Sequence, residues 1–362
     1  MASAATLHAA AINPIEAARR QFVLRFSFAT TACFIVSEWM GWQPSAIAPV
    51  LTAVLLANMP ASPPLKLGLV LILVMGICAW LAFFLTTFLN QVPHLLFAVI
   101  GLIMFIALAG LAQAKAQLPL TLLLMCMSVV PVVTLTMSEY AGVFPGLLAR
   151  AMALAMIFTW IGFAIWPMPS PKAPDPPAPP LDSPVAAAFI GTAIVLPVML
   201  VYLLFGLTDA IPVLLTTVLL VAKMEEERGA ASGWAKLLGN FLGGFVAIAA
   251  YYVLNIAPSL ATLSLIIFLI GMAFGLQIVK GGVRGGNALL AYNATLVIFG
   301  LALLKGPSNS GTWGARVVQF AIACIFAIGM MRLLWPLLQR RAANAPPRSP
   351  GPTAMQGGTE GI

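Results

Sequence analysis

Two arginines stand where few charges do. Arg150 follows Ala149 and Arg316 follows Ala315, each early in a long apolar run. A guanidinium at the centre of a bilayer costs about 2.5–3.5 kcal/mol on insertion scales and less near an interface. Its planar fork matches both oxygens of a carboxylate. The pair reads either as ligands for an organic anion, or as anchors that snorkel to headgroups or pair with Glu139 or Asp209. A second matched set is Pro49 with Thr52 and Pro212 with Thr216, in two short apolar runs at 45–59 and 209–222. Proline frees a carbonyl upstream, and short or proline-interrupted spans at corresponding places of two halves point to a transport site. Tilted spans with ordinary proline kinks give the same pattern. Glu38, Glu139 and Asp209 fall at span ends, where a carboxylate either titrates for proton coupling or is simply solvated.

Other chemistries find no footing. The four cysteines (Cys33, Cys78, Cys126 and Cys324) all lie in apolar runs, and none joins a Cys-x-x-Cys or Cys/His pattern. His8 and His94 are the only histidines, which argues against a zinc or haem centre. The run from Gly281 to Gly286 (GGVRGG) lacks the strand context and Lys-Ser/Thr ending of a phosphate loop. No catalytic triad, metal motif or nucleotide site is found, so neither an enzyme nor a bound cofactor is expected. Asn240, Asn287, Tyr292 and Asn293 suit hydrogen bonds between helices, and Gly239 with Gly243 forms a GxxxG pattern for close helix approach.

The elements that hold these residues follow from composition. Of 362 residues, 61% are hydrophobic and 8% charged, against about a quarter charged in a soluble domain. Too few charges remain to build a water-facing surface, so lipid is the solvent for most of the chain. Backbone groups in lipid must be satisfied internally, by helices or closed barrels. The apolar runs do not alternate with period two, so the expected class is all-α and polytopic. About twelve spans are expected: 21–38, 45–59, 67–89, 94–113, 118–137 and 145–166, then 184–206, 209–222, 235–254, 258–279, 287–304 and 313–336.

Residues 1–18 lack the basic and apolar regions of a signal peptide and read as a cytoplasmic tail. The organisation is then a first membrane repeat at 19–166, a proline-rich cytoplasmic linker at 167–184 and a second repeat at 185–336. Residues 337–362 read as a disordered cytoplasmic tail. With a cytoplasmic N-terminus, fifteen of the eighteen lysines and arginines fall on the cytoplasmic side, and only Arg150, Lys305 and Arg316 face away. The net charge of +8 is thus read as membrane orientation. Without a basic cluster interleaved with aromatics, nucleic acid is not an expected partner.

Matches between the halves support a repeat. Ala46-Ile47 and Thr52 to Leu56 match Ala210-Ile211 and Thr216 to Leu220. Asn90 to Leu95 matches Asn255 to Leu260, Ala149-Arg150 matches Ala315-Arg316, and both halves close on Trp-Pro, at Trp166-Pro167 and Trp335-Pro336. Six spans per half is an even number, so the repeats run parallel, about an axis along the membrane normal.

These features together resemble a family. Arg19-Arg20 leads into span one, SAIAPVLTAVLLANMPASPPLKLG follows, and DAIPVLLTTVLLVAKMEEERGAASGWAKLLGNFLGG is its counterpart. Each half closes on an arginine-led span, ARAMALAMIFTWIGFAIWP or ARVVQFAIACIFAIGMMRLLWP. The chain resembles the fusaric acid resistance and aromatic acid exporter superfamily, as a short branch lacking the cytoplasmic domains of larger members. The resemblance implies a bacterial inner-membrane protein with both termini cytoplasmic that exports aromatic or other organic acids. It also implies a membrane-fusion-type periplasmic adaptor and an outer-membrane channel as partners. A passive organic-anion channel and a non-transporting scaffold of an envelope assembly are the competing expectations, and a homo-oligomer is compatible with each.

Overall fold

A computed structural model describes residues 14–113, 117–169, 184–204 and 230–305, together with Val218 and Gly329. Among these residues the chain is helical, with no strand. The helices are α1 (Pro14–Trp39), α2 (Ile47–Asn58), α3 (Leu65–Leu89), α4 (Pro93–Ala112), α5 (Gln117–Thr136), the short α6 (Ser138–Ala141), α7 (Phe144–Ile165), α8 (Pro184–Leu204), α9 (Ala230–Ile256), α10 (Leu260–Ile278) and α11 (Gly282–Lys305). Eight of them are long and apolar enough to cross a membrane: α1, α3, α4, α5, α7, α8, α10 and α11. α2 is shorter, and so is the apolar part of α9, Phe241–Ile256. The spans expected at 209–222 and 313–336 lie outside the described residues, apart from Val218 and Gly329.

Proline, glycine and serine set the helix ends. Pro63 and Pro64 precede α3, where Pro64 is extended and cannot continue a helix. Pro93 opens α4, where its missing N–H would have had no partner. Ser259 caps α10 by accepting from Thr262 N at 3.1 Å. The apolar faces are sorted by solvent. On α3, Leu69, Leu73, Ile77, Phe84 and Phe88 are exposed in one stripe at helical spacing, while Leu71, Met75, Cys78, Ala79 and Ala82 are buried. Hydrocarbon can solvate the first set, and neighbouring helices cover the second.

Two cores result, and neither is confined to one continuous part of the chain. One is built mainly from α3, α4, α5, α7 and α8. The other is built mainly from α1, α2, α9, α10 and α11. Accordingly α8 packs on α4, whereas α1 packs on α10. Within the cores α3 packs on α5, and α9 packs on α11. The α9–α11 contact is the closest backbone approach, and it uses the GxxxG pattern. A Cβ on Gly243 would collide with the Ala291 carbonyl oxygen, and Thr295 Oγ donates across the interface to Gly243 O at 3.0 Å.

α1 begins at Pro14, well before the expected span start at residue 21. Arg25 is therefore not a solvated cation at the membrane edge but fully buried against α7. Its Nη1 donates to Trp166 O at 3.0 Å and Met168 O at 2.8 Å, and its guanidinium lies 3.9 Å over the Phe163 ring. The carbonyl end of α7 carries partial negative charge. Gly162 leaves the space for the arginine stem, 3.0 Å from where a Cβ would stand.

Candidate functional site

The described residues enclose a cleft where α1 ends and α2 and α7 begin. Its geometry starts from one glycine. Gly41 has φ +64°, a left-handed conformation open to glycine at little cost. It lets Gly41 N reach Glu38 O at 2.9 Å and Trp42 N reach Ser37 O at 2.9 Å. This pair of bonds is a Schellman closure, which folds the residue after the glycine back over the last helical turn. Trp42 is that residue.

On the opposite wall, α7 presents Leu147, Arg150, Ala151 and Leu154, spaced as one helix face. Arg150 stacks on Trp42, its guanidinium carbon 4.2 Å from the ring centroid. Ser37, Gln43, Pro44, Ile47 and Ala48 complete the lining. The cavity is about 20 Å³, room for one water.

The electrostatics favour an anion. Arg150 is half-buried, and among the described residues no carboxylate lies within ion-pair distance of it; the ion pair found there is the exposed Arg20–Glu16 contact at 2.8 Å. α2 and α7 both begin at this end, and helix N-termini carry partial positive charge. Glu38, next in sequence to Ser37 of the lining, is engaged by Ser45, whose Oγ donates to Glu38 Oε1 at 2.5 Å. Ser45 is itself buried, packed from behind by α11 at Gly300.

The expected site residues divide. Arg150 lines the cleft, and Glu38 sits at its edge through Ser45. Glu139 lies exposed on α6 and does not pair with Arg150. Pro49 occupies the first turn of α2, where a proline displaces no helical hydrogen bond, so it opens the helix and does not kink it. Thr52 is fully buried one turn further on, donating to Ala48 O at 2.9 Å. Its hydroxyl lies against the Cys33 thiol, below the cleft. Asp209, Pro212, Thr216 and Arg316 lie outside the described residues. Trp42, Ser45 and Gly41 were not expected. The signal for them was a glycine just past a helix end, followed at once by a tryptophan.

Cys33, Cys78 and Cys126 are buried free thiols. No group of three or more possible metal ligands occurs among the described residues. The arrangement can bind and orient an anion. It brings no nucleophile and base together.

Fold and site define a multi-pass helical membrane protein. Residues 22–161, from α1 nearly to the end of α7, match a family model described as a protein of unknown function (DUF2955). The matched segment contains the whole lining of the cleft. No curated protein and no solved structure matches the chain.

Proposed function

We propose that this protein is a secondary transporter that exports organic anions, aromatic acids among them, across a bacterial inner membrane. The observation that carries the reading is Arg150: a guanidinium stacked on an indole, free of carboxylate ion pairs among the described residues, at a cleft where two helices begin. A charged group kept in that state at the end of a membrane helix is a default site for a charged ligand. A cavity of about 20 Å³ admits water but no organic acid, so substrate binding includes an opening movement of the Met40–Ala46 connection, which lies outside the helices.

Two further expectations fit the same reading. Arg19, Arg20, Lys66, Lys280 and Arg284 are all exposed near the helix ends opposite to Arg150, which supports cytoplasmic termini. The pairing of α4 with α8, and of α10 with α1, is what two parallel six-helix repeats exchanging their first helices produce, and the pairings α3–α5 and α9–α11 follow the same rule. The periplasmic adaptor and outer-membrane channel implied by the family resemblance complete the proposal as partners.

The test is benzoate flux in proteoliposomes containing the full chain. Arg150→Gln removes a charged hydrogen-bond donor and should lower apparent benzoate affinity about ten- to a hundredfold. Flux of neutral benzamide should not respond. Saturable flux that accumulates benzoate against its gradient supports the carrier, and non-saturating flux makes the protein a channel. Absence of any flux, or an Arg150→Gln variant that moves benzoate as the wild type does, overturns the assignment of Arg150.

A further inference from the structure

The α1 face that meets the second core is apolar at Phe22, Val23, Phe26 and Phe34, with polar interruptions at Ser27 and Thr30. Thr30 is fully buried there and shares a 2.7 Å hydrogen bond with Tyr292 of α11, which is also fully buried. Proton bookkeeping gives the bond a direction. The Thr30 hydroxyl has one proton, and it is directed to Phe26 O at 2.8 Å. With Phe26 O at 2.8 Å and Ser27 O at 3.3 Å as acceptors for that proton, we take Tyr292 as the donor and Thr30 Oγ as the acceptor.

The residue that follows each member of the pair in sequence is also polar and buried. Thr31 Oγ and Asn293 Oδ1 are buried with no hydrogen-bond partner. Each such group costs about 1–3 kcal/mol relative to a satisfied one. Polar groups held inside a membrane at that cost commonly mark a ligand path. The pair is also connected to the cleft. Cys33, one turn along α1 from Thr30, packs with Ala48 and Leu154, two residues of the cleft lining. Seven residues of α1 separate Thr30 from Ser37, about 10 Å at 1.5 Å per residue.

We propose that Tyr292 with Thr31 is a second carboxylate station inward of Arg150, held shut in this state by the Tyr292–Thr30 hydrogen bond. The inference rests on the anion-transport reading. As α1 and α11 part, the Tyr292 O–H turns from Thr30 Oγ to a carboxylate oxygen, and the Thr31 O–H supplies a second donor. Only hydrogen bonds are exchanged, and no proton changes owner. An uncharged station suits this depth, because it holds the anion more weakly than an arginine and so can release it.

The experiment uses the full chain in proteoliposomes with benzoate as probe, in a background of Cys78→Ala, Cys126→Ala and Cys324→Ala, so that Cys33 is the single thiol. Tyr292→Phe should reduce the maximal benzoate flux about tenfold while changing the half-saturating concentration no more than about twofold. Thr30→Val keeps the shape but removes the acceptor, and should make Cys33 react several-fold faster with a methanethiosulfonate reagent. Thr30→Ser should behave as the wild type in both assays. A purely packing role would lower stability without this split between flux and half-saturation. If Tyr292→Phe does not yield a monodisperse protein, the Cys33 rate in Thr30→Val decides. The station is overturned if flux and Cys33 reactivity stay at wild-type values in these variants while Arg150→Gln is impaired. If the wild type moves no benzoate, the transport reading falls and this station with it.

Discussion

Substitution of Gly41 separates the backbone turn that places Trp42 from everything else near the cleft. A Cβ at this position meets no atom within 4 Å, so any penalty comes from φ +64° and not from a clash. The left-handed region costs an L-residue about 1–2 kcal/mol, and asparagine less than most. A β-branched residue is a true outlier there, beyond about 2 kcal/mol. Gly41→Asn should thus be mild, Gly41→Ala should lose about 1 kcal/mol, and Gly41→Val should not keep the turn. Once the turn is lost, the Trp42 ring leaves Arg150, and a contact worth about 0.5–2 kcal/mol goes with it. Unfolding in a denaturing detergent reads the stability term, and equilibrium benzoate binding reads the position of Trp42. Stability and binding should fall together in the order Asn, Ala, Val. A Gly41→Val protein matching Gly41→Asn in both measurements would refute the claim that this turn builds the cleft.

Two further substitutions probe other parts of the same argument. Gly243→Ala should destabilise the protein by about 1–3 kcal/mol through overpacking against Ala291, whereas Gly146→Ala, with open space around it, should have no such effect; equal unfolding curves for the two would show that α9 and α11 are not in close contact. Ser45→Ala frees Glu38 to turn toward Arg150 and should weaken benzoate binding several-fold, about the effect of one charged hydrogen bond, and adding Glu38→Gln should restore it; a double variant as weak as Ser45→Ala would mean that Ser45 acts on the fold of the loop alone.

Helical class and membrane residence were legible from composition, because hydrocarbon leaves a chain this poor in charge few options. The helix starts at Pro93 and Pro184 and the break at Pro63-Pro64 were legible because these residues act locally, whereas α11 begins at Gly282, before the expected start at residue 287. The beginning of α1 was not legible either. Arg19, Arg20 and Arg25 look like a membrane border, but helix formation needs only local hydrogen bonds. It continues through charges that are solvated, as at Arg19 and Arg20, or taken up by another helix end, as at Arg25. Arg150 was found because a lone arginine in an apolar run is conspicuous. Trp42 and Ser45 were hidden, since their role depends on a turn and on packing by α11, and neither leaves a periodic trace. Thr52 was conspicuous for the wrong reason: its proximity to Pro49 suggested an opened helix, but a proline in the first turn leaves the helix intact.

α1 gives the two candidate stations a common mechanical setting. α1 carries Glu38 at the cleft, Thr30 about two turns inward and Arg25 near the middle of the helix, against the carbonyl end of α7. It packs on α2, α7 and α10, and touches α11 through the side chains of Phe26, Thr30 and Phe34. Arg25 fixes the middle of α1 to the end of α7 through the Trp166 and Met168 carbonyls. Thr30, by contrast, is tied to α11 by one hydrogen bond and ring contacts, with Tyr292 centred 5.1 Å from Phe26. Beside that bond, α10 meets α1 at Gly271 over Ser27, small residues whose contact presents little side chain to disengage. A displacement of α11 relative to α1 would break the Thr30–Tyr292 bond and leave the Arg25 clamp, which joins α1 to the end of α7, in place. Under the transport reading, the clamp is then the fixed pivot and the hydroxyl pair the part that opens.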